Sequence, residues 1–585
     1  MKYWIPNNWD DSFEHEGMLF FVQKVQEMLF HFSDDVFRAP VHNTLTLIRE
    51  FNHTYEEVLS GEVKSYQLFP IFKEIEYSLL NDRIIRDNLN DNFIEGILTQ
   101  MRSFSEESSY NLVNYIYKII EPNYLSWTIT YLRKHIPYGN HKKEIEYGAR
   151  CWISQLIMDG YAGEFIYTYI EDFFINSSIN SIDDLAQFFD RFDYKERTYK
   201  VYIQILDSIS TYADILTARL SLRFEDDGNF SSIKIKRHYT ICYFELSALD
   251  YYVAALRARQ KIDIFFRYFR FINNKRAYLL NKFGAVWDYD TQQLRFLPII
   301  PTGLKAIEVP KDEISSELID SIILGVQKHR KNGMDLLNRA IELHNNALLQ
   351  QLPKDGFTNL WSALEVLCPK NMDSKLHAVL YSVLPILQND YFSVVFSSIY
   401  KDLLENLSAH DFETLMNIVE ATTKVEKVAA FCLLPEYSDL REDYFDKMPT
   451  LPLLRHKIFC IFELKDKKKE LFSLSKKYRT RVEWHLYRLY RARNQIVHAG
   501  STPPRIQILG EHLHSYVDSI TCEIAFKLAS SYNLSTINSI LVDTNLLIKY
   551  KEDCFSSDGQ ITADDLRILF KECFAPRSLD DVDET

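Results

Sequence analysis

Apolar residues recur every three or four positions from about Gly17 to Leu216, as in GMLFFVQKVQEMLFHF, NLVNYIYKII and GEFIYTYIEDFFIN. This spacing gives each segment one apolar stripe and predicts a helical bundle or array. No segment recurs at a fixed period, so the pattern does not support a repeat solenoid. Between about Glu196 and Pro310 the period falls to two. Tyr199, Val201, Ile203 and Ile205 alternate in TYKVYIQIL, and Leu220, Leu222 and Phe224 alternate in LSLRFEDDGN ahead of an Asp-Gly turn. With YTICYFEL and AVWDYDTQQLRFLP as further strands around a helix near SALDYYVAALRARQ, this predicts a small mixed α/β domain.

PIIPTGLKAIEVPKDE, with its prolines and glycine, reads as a linker. From about Glu313 to Lys549 the helical spacing returns. Asp355-Gly356 predicts a break between two helices, after which Phe357, Leu360, Trp361, Leu364, Leu367 and Cys368 share one stripe of FTNLWSALEVLC. The final APRSLDDVDET is acidic and polar and predicts a frayed end. The expected fold is therefore mainly α and multidomain. It has a helical N-terminal region at 1–195, a mixed α/β domain at 196–311, a helical bundle at 312–549, and a C-terminal helix and tail at 550–585.

Composition narrows the chemistry. The 46% hydrophobic fraction is enough for large cores, and sparse Gly and Pro argue against a disordered chain. A net charge of -14 repels nucleic acid as a whole, so any such partner needs a local basic patch. Cys151, Cys242, Cys368, Cys432, Cys460, Cys522, Cys554 and Cys573 stand singly, as buried reduced thiols do, and none has metal-type spacing. No leader-like or membrane-spanning run is evident, and a soluble cytoplasmic protein is expected.

The segment RVEWHLYRLYRARNQIVHAG carries the most suggestive chemistry. Read as one α-helix, it places Val482, Leu486, Leu489 and Ile496 on one stripe, with Arg493 inside it. A guanidinium there requires a carboxylate or a phosphate. His498 falls about 140° round from Arg493 at the usual helical rotation, beside Asn494 on the flank. On this wheel the two residues meet in one pocket only at the edge of the stripe, for instance in a cleft between two copies of the helix. Gly500 and Pro503-Pro504 end the helix just beyond, so His498 occupies the last turn.

YRARNQIVHAG resembles the signature of the HEPN superfamily, an arginine followed by asparagine, a short gap and a histidine, and looks most like its ApeA-like group. NRAIELHNNALLQ followed by FTNLWSALEVL resembles the N-terminal helices of that group, so the resemblance covers about Ser315 to Leu541. It implies an α-helical bundle and a metal-independent endoribonuclease that dimerises so that both motif helices form one cleft. By this resemblance Arg493 holds the scissile phosphate and stabilises its transition-state charge. His498 exchanges protons with the attacking 2′-hydroxyl or the leaving 5′-oxygen. Asn494 orients His498 or contacts the sugar-phosphate. Glu365 is the acidic position and the candidate partner of Arg493, or else a plain surface glutamate.

Independently of the family, the stretch from Lys465 to Arg493 is strongly basic on an acidic chain. Lys476, Lys477, Arg479, Arg481, Arg488 and Arg491 are its candidate RNA-binding residues. The resemblance implies a toxin of bacterial anti-phage defence (abortive infection) that cleaves RNA such as tRNA, without cofactor or metal. Its partners would be RNA, a second copy of the chain, and a phage-derived trigger or an antitoxin, with no membrane. The residues before about Pro310 do not match the β-rich N-terminal region of the ApeA-like group, and their expected role is to restrain the nuclease. The competing reading is a non-catalytic RNA-binding or dimerisation scaffold.

Two weaker signals complete the sequence. CFSSDGQITADDL has the outline of a calcium loop, but Cys554 replaces the first carboxylate and Asp565 the long final one, so a turn and a helix capped by Thr562 is the simpler reading. Glu511, His514 and Asp518 share a helix face at metal-ligand spacing, yet they lie opposite Leu509, Leu513, Tyr516 and Ile520, as a solvated face would. No phosphate-binding glycine loop, HExxH or GxSxG is present.

Overall fold

The computed structural model describes residues 2–6, 9, 15–29, 42–179, 181–224, 236–273, 280–298, 323, 334–350, 352–369, 372, 374–503, 506–530 and 536–572. The protein is mainly helical with one small antiparallel sheet of five strands. The Asp-Gly turn at 227–228, most of the linker (299–313) and the acidic tail at 575–585 fall outside the described residues.

The chain forms two compact units. One gathers Met1–Ile5, Glu14–Cys151 and Gly303–Thr585; the other gathers Pro6–Phe13 and Trp152–Thr302. This grouping cuts across the expected layout, because residues 152–195 belong with the sheet and the earlier N-terminal helices belong with the C-terminal bundle.

In the sheet unit strands form in each predicted run, but of the alternation Leu220, Leu222, Phe224 only Arg223–Phe224 pair as strand, because Leu220 ends the helix Ala213–Leu220 and Ser221 turns the chain in the left-handed region. β1 (Arg197–Leu206) is central, β2 (Arg223–Phe224) and β3 (Tyr239–Ala248) lie on one side, and β4 (Phe283–Asp288) and β5 (Gln293–Pro298) on the other, in the order β2-β3-β1-β4-β5. The register pairs Val201 with Phe244 on β3 and with Val286 on β4. Tyr199, Val201, Ile203 and Ile205 are fully buried on one face. On the other face Tyr202, Ile241 and Ala285 form a smaller apolar cluster, so the centre of the sheet is covered on both sides. The helix Tyr251–Asn273 packs on the sheet.

The helical unit holds two cores. The first joins Leu45, Ile48 and Phe51 of the helix Thr44–Leu59 to Phe72 and Ile75 of the helix Leu68–Asn81 and to later helices up to Cys151. The second is built from the helices Met334–Leu349, Pro353–Val366, Lys375–Asn406, Lys468–Asn494, Ile506–Ser530 and Ile537–Cys554. All six residues of the stripe from Phe357 to Cys368 are buried there. The expected break between two helices falls at 350–352, between Met334–Leu349 and Pro353–Val366, and not at Asp355-Gly356. Pro353 takes the first helical position and Asp355 the first turn, where both are favourable, so the pair starts a helix instead of separating two.

Among the described residues, Lys375–Asn406 is the one helix long and apolar enough to cross a membrane. It is a core helix, with Val379, Val383 and Ile386 buried alongside the polar Gln388, Asn389 and Asp402. The segment from Cys554 is a turn followed by the helix Ala563–Leu569. Thr562 caps that helix in a reciprocal capping box with Asp565, and Asp565 also pairs with Lys468 at 2.7 Å, so its carboxylate is committed within the protein.

Candidate active site

The motif helix Lys468–Asn494 buries Val482, Leu486, Leu489 and Ala492 against the second core, with Ile496 half-buried at its end. It does not continue as α-helix into the motif. Gln495–Ala499 form a π turn, closed by Gly500 in the left-handed region at φ +66°. A π turn widens the helix by one residue per turn, so residues five apart stack where an α-helix would stack those four apart. The separation of about 140° expected from a regular wheel is therefore removed. Arg493 Nη1 lies 3.3 Å from His498 Nε2 within a single chain.

A guanidinium only donates, so a hydrogen bond in this contact runs from Arg493 to His498 Nε2. Arg493 also donates to Asn494 Oδ1 at 3.3 Å, so Asn494 orients the arginine and not the histidine. Arg493 is half-buried and His498 exposed.

Glu365 does not partner Arg493. Its Oε1 accepts from the Trp361 indole at 2.8 Å, and its Oε2 lies 3.4 Å from Lys375 Nζ. Among the described residues Arg493 has no carboxylate partner, and its close polar contacts are the Asn494 and His498 side chains just named. A partly desolvated cation without a counter-charge, beside an exposed imidazole, is suited to bind an anion.

Arg488 and Arg491 are buried and do not form an RNA path in this structure. Arg488 Nε lies 2.8 Å from both carboxylate oxygens of Glu50, and its Nη2 lies 2.8 Å from Glu74 Oε2. Arg491 also bonds Glu50. Burial alone would raise the Glu50 carboxyl, but the Arg488 and Arg491 guanidiniums override it and hold Glu50 well below the usual carboxylate range. At Glu74 burial wins over Arg488, reinforced by repulsion from Glu50, and its pKa is raised. Burial depresses Arg491, which has one close carboxylate, whereas the two carboxylates around Arg488 outweigh burial and raise it. Arg491 Nη1 is buried without a hydrogen-bond partner.

The other basic residues of this helix are dispersed. Lys476 is exposed and paired with Glu552, and Arg479 is half-buried and donates to Gln388 at 3.1 Å. Lys477 and Arg481 are exposed, but at the α-helical rotation they lie about 160° and 120° round from Arg493. They do not continue the surface that presents His498.

Sequence reasoning missed Glu50 and Glu74. The charge of Arg488 and Arg491 on a helix with a buried stripe required acids somewhere, but no local signal points more than four hundred residues back along the chain. It also missed His344, which takes the place expected for Glu511 beside His514 and Asp518. Comparison with protein-family models, curated proteins and solved structures finds no match to this chain.

Proposed function

We propose that the protein is a metal-independent endoribonuclease of the HEPN type, working in the cytoplasm as a toxin of anti-phage defence that cuts RNA such as tRNA. The observation that carries this reading is the pairing of Arg493 with His498 across one π turn, with no acidic side chain among the described residues to neutralise the arginine. In the proposed reaction Arg493 binds the scissile phosphate and stabilises the charge that builds on it. As Arg493 turns from His498 Nε2 to the phosphate, that nitrogen's lone pair takes the proton of the 2′-hydroxyl while its oxygen attacks phosphorus, and the bond to the 5′-oxygen breaks, that oxygen taking a proton from water.

Asn494 holds the guanidinium in place. A second copy of the chain completes the cleft over the exposed His498, whose neighbour Val497 is an exposed apolar residue of the same turn. The N-terminal helices restrain the motif helix through Glu50 and Glu74, and a phage-derived trigger or the loss of an antitoxin relieves that grip.

The test incubates purified protein with total RNA in EDTA. Arg493→Ala and His498→Ala are each expected to reduce cleavage by about a hundredfold or more. Equal cleavage by wild type and both variants would refute the assignment. The scaffold alternative predicts an intact cellular phenotype in His498→Ala.

A further inference from the structure

The geometry points to a binding site for one divalent first-row transition-metal ion, of the zinc class, formed by His344, His514 and Asp518 in the C-terminal bundle. His344 comes from the helix Met334–Leu349, and His514 and Asp518 lie one turn apart on the helix Ile506–Ser530. None of the three bonds Arg493, Asn494 or His498, and the site does not depend on the ribonuclease reading.

Their donor atoms converge. His344 Nε2 is 2.8 Å from His514 Nε2 and 2.8 Å from Asp518 Oδ1, and His514 Nε2 is 3.4 Å from Asp518 Oδ2. The rings are nearly parallel, 22° apart with centroids at 4.8 Å, so both present the same edge. An imidazole nitrogen carries either one N–H or one lone pair, directed in the ring plane. His344 Nε2 therefore has one direction to offer and two close partners, and hydrogen bonding alone leaves one contact of the triangle unsatisfied.

A cation at the centre satisfies all three lone pairs at once. With metal–ligand bonds near 2.0 to 2.2 Å, tetrahedral ligands stand about 3.3 Å apart; the two imidazole nitrogens and one Asp518 oxygen lie within 4.8 Å of one another, so a turn of the Asp518 carboxylate gathers the three around one ion. Two imidazoles and a carboxylate suit zinc and its neighbours, and three protein ligands leave a coordination position for water.

Burial is graded as such a site needs. The His514 side chain is 7% exposed, His344 20% and Asp518 41%, so the ion would be anchored at depth and open toward solvent on the aspartate side.

The test uses the full chain, stripped with chelator and titrated with Zn2+ by calorimetry and with Co2+ by visible absorption. One ion per chain is expected. His344→Gln, His514→Gln and Asp518→Asn should each weaken Zn2+ binding by at least about a hundredfold, since loss of even an outer partner costs ten- to a hundredfold. Glu511→Gln should bind as wild type does. In chelator the variants should melt with wild type, and only wild type and Glu511→Gln should gain thermal stability on adding Zn2+. Should a histidine variant fail to fold, the partly exposed Asp518→Asn carries the comparison. No submillimolar binding by wild type, or unchanged binding in the variants, would overturn the site; cleavage assays in EDTA report separately on the ribonuclease reading.

Discussion

Replacing Glu50 with glutamine separates a buried ion network from a collection of surface pairs. Glu50 is 14% exposed and takes hydrogen bonds from Arg488 and Arg491, which are themselves 10% and 7% exposed. Two guanidiniums face two carboxylates, so the network is neutral overall. Glu50→Gln leaves both cations facing Glu74 alone, and truncating one side of a buried pair typically costs about 3 to 5 kcal/mol.

Glu74→Gln leaves Glu50 between both arginines, so its cost should be clearly smaller. The interface has a second marker in Trp484 of the motif helix, whose ring centroid lies 5.5 Å from that of Tyr77 on the helix Leu68–Asn81. Hydrogen exchange followed by peptide mass spectrometry should show faster exchange in 44–59, 68–81 and 468–494 for Glu50→Gln, while the sheet unit is unchanged. Because the folded-state pKa of Glu50 is depressed, its contribution is complete above the ordinary value of 4.5 and is lost as pH falls below it. The Gln variant should therefore approach wild type on acidification. Equal effects of Glu50→Gln and Glu74→Gln, or effects of both below about 1 kcal/mol, would refute the reasoning and place these pairs with ordinary surface ones.

Gly500→Ala should cost about 1 kcal/mol, because φ of +66° strains an L side chain although the space around it is open, and RNA cleavage should fall further than stability as the turn is disturbed. Burial pushes His456 down to about 4, so the unfolded chain takes up a proton below the ordinary value of 6.5 while the folded one does not. Stability should thus fall by about 3 kcal/mol between those two pH values, and His456→Gln should flatten that slope in urea titrations.

Periodicity located the elements because burial obeys it. The alternation in TYKVYIQIL became β1, and the stripe in FTNLWSALEVLC became a buried helix face. Local chemistry also sufficed where a cap decides the outcome, as at Thr562. Reading failed where distant segments supply the decisive group. Arg488 and Arg491 looked like an approach for phosphate because Glu50 and Glu74 lie far away in the chain, and His514 looked solvated because His344 belongs to another helix. Asp355-Gly356 was misleading for a different reason: the same residues that interrupt a helix are welcome in its first turn.

The π turn has a consequence for insertions and deletions. A spacing of five positions places His498 over Arg493 only on the wide turn, whereas on a regular α-turn residues four apart occupy that position. Deleting Val497 would shorten the gap by one, and relaxation of the turn to α geometry would return a histidine to the same place. Adding a residue has no such remedy, since neither helix type stacks residues six apart. The motif should therefore withstand a shorter gap better than a longer one, an asymmetry that comes from helix geometry and is invisible in a count of letters.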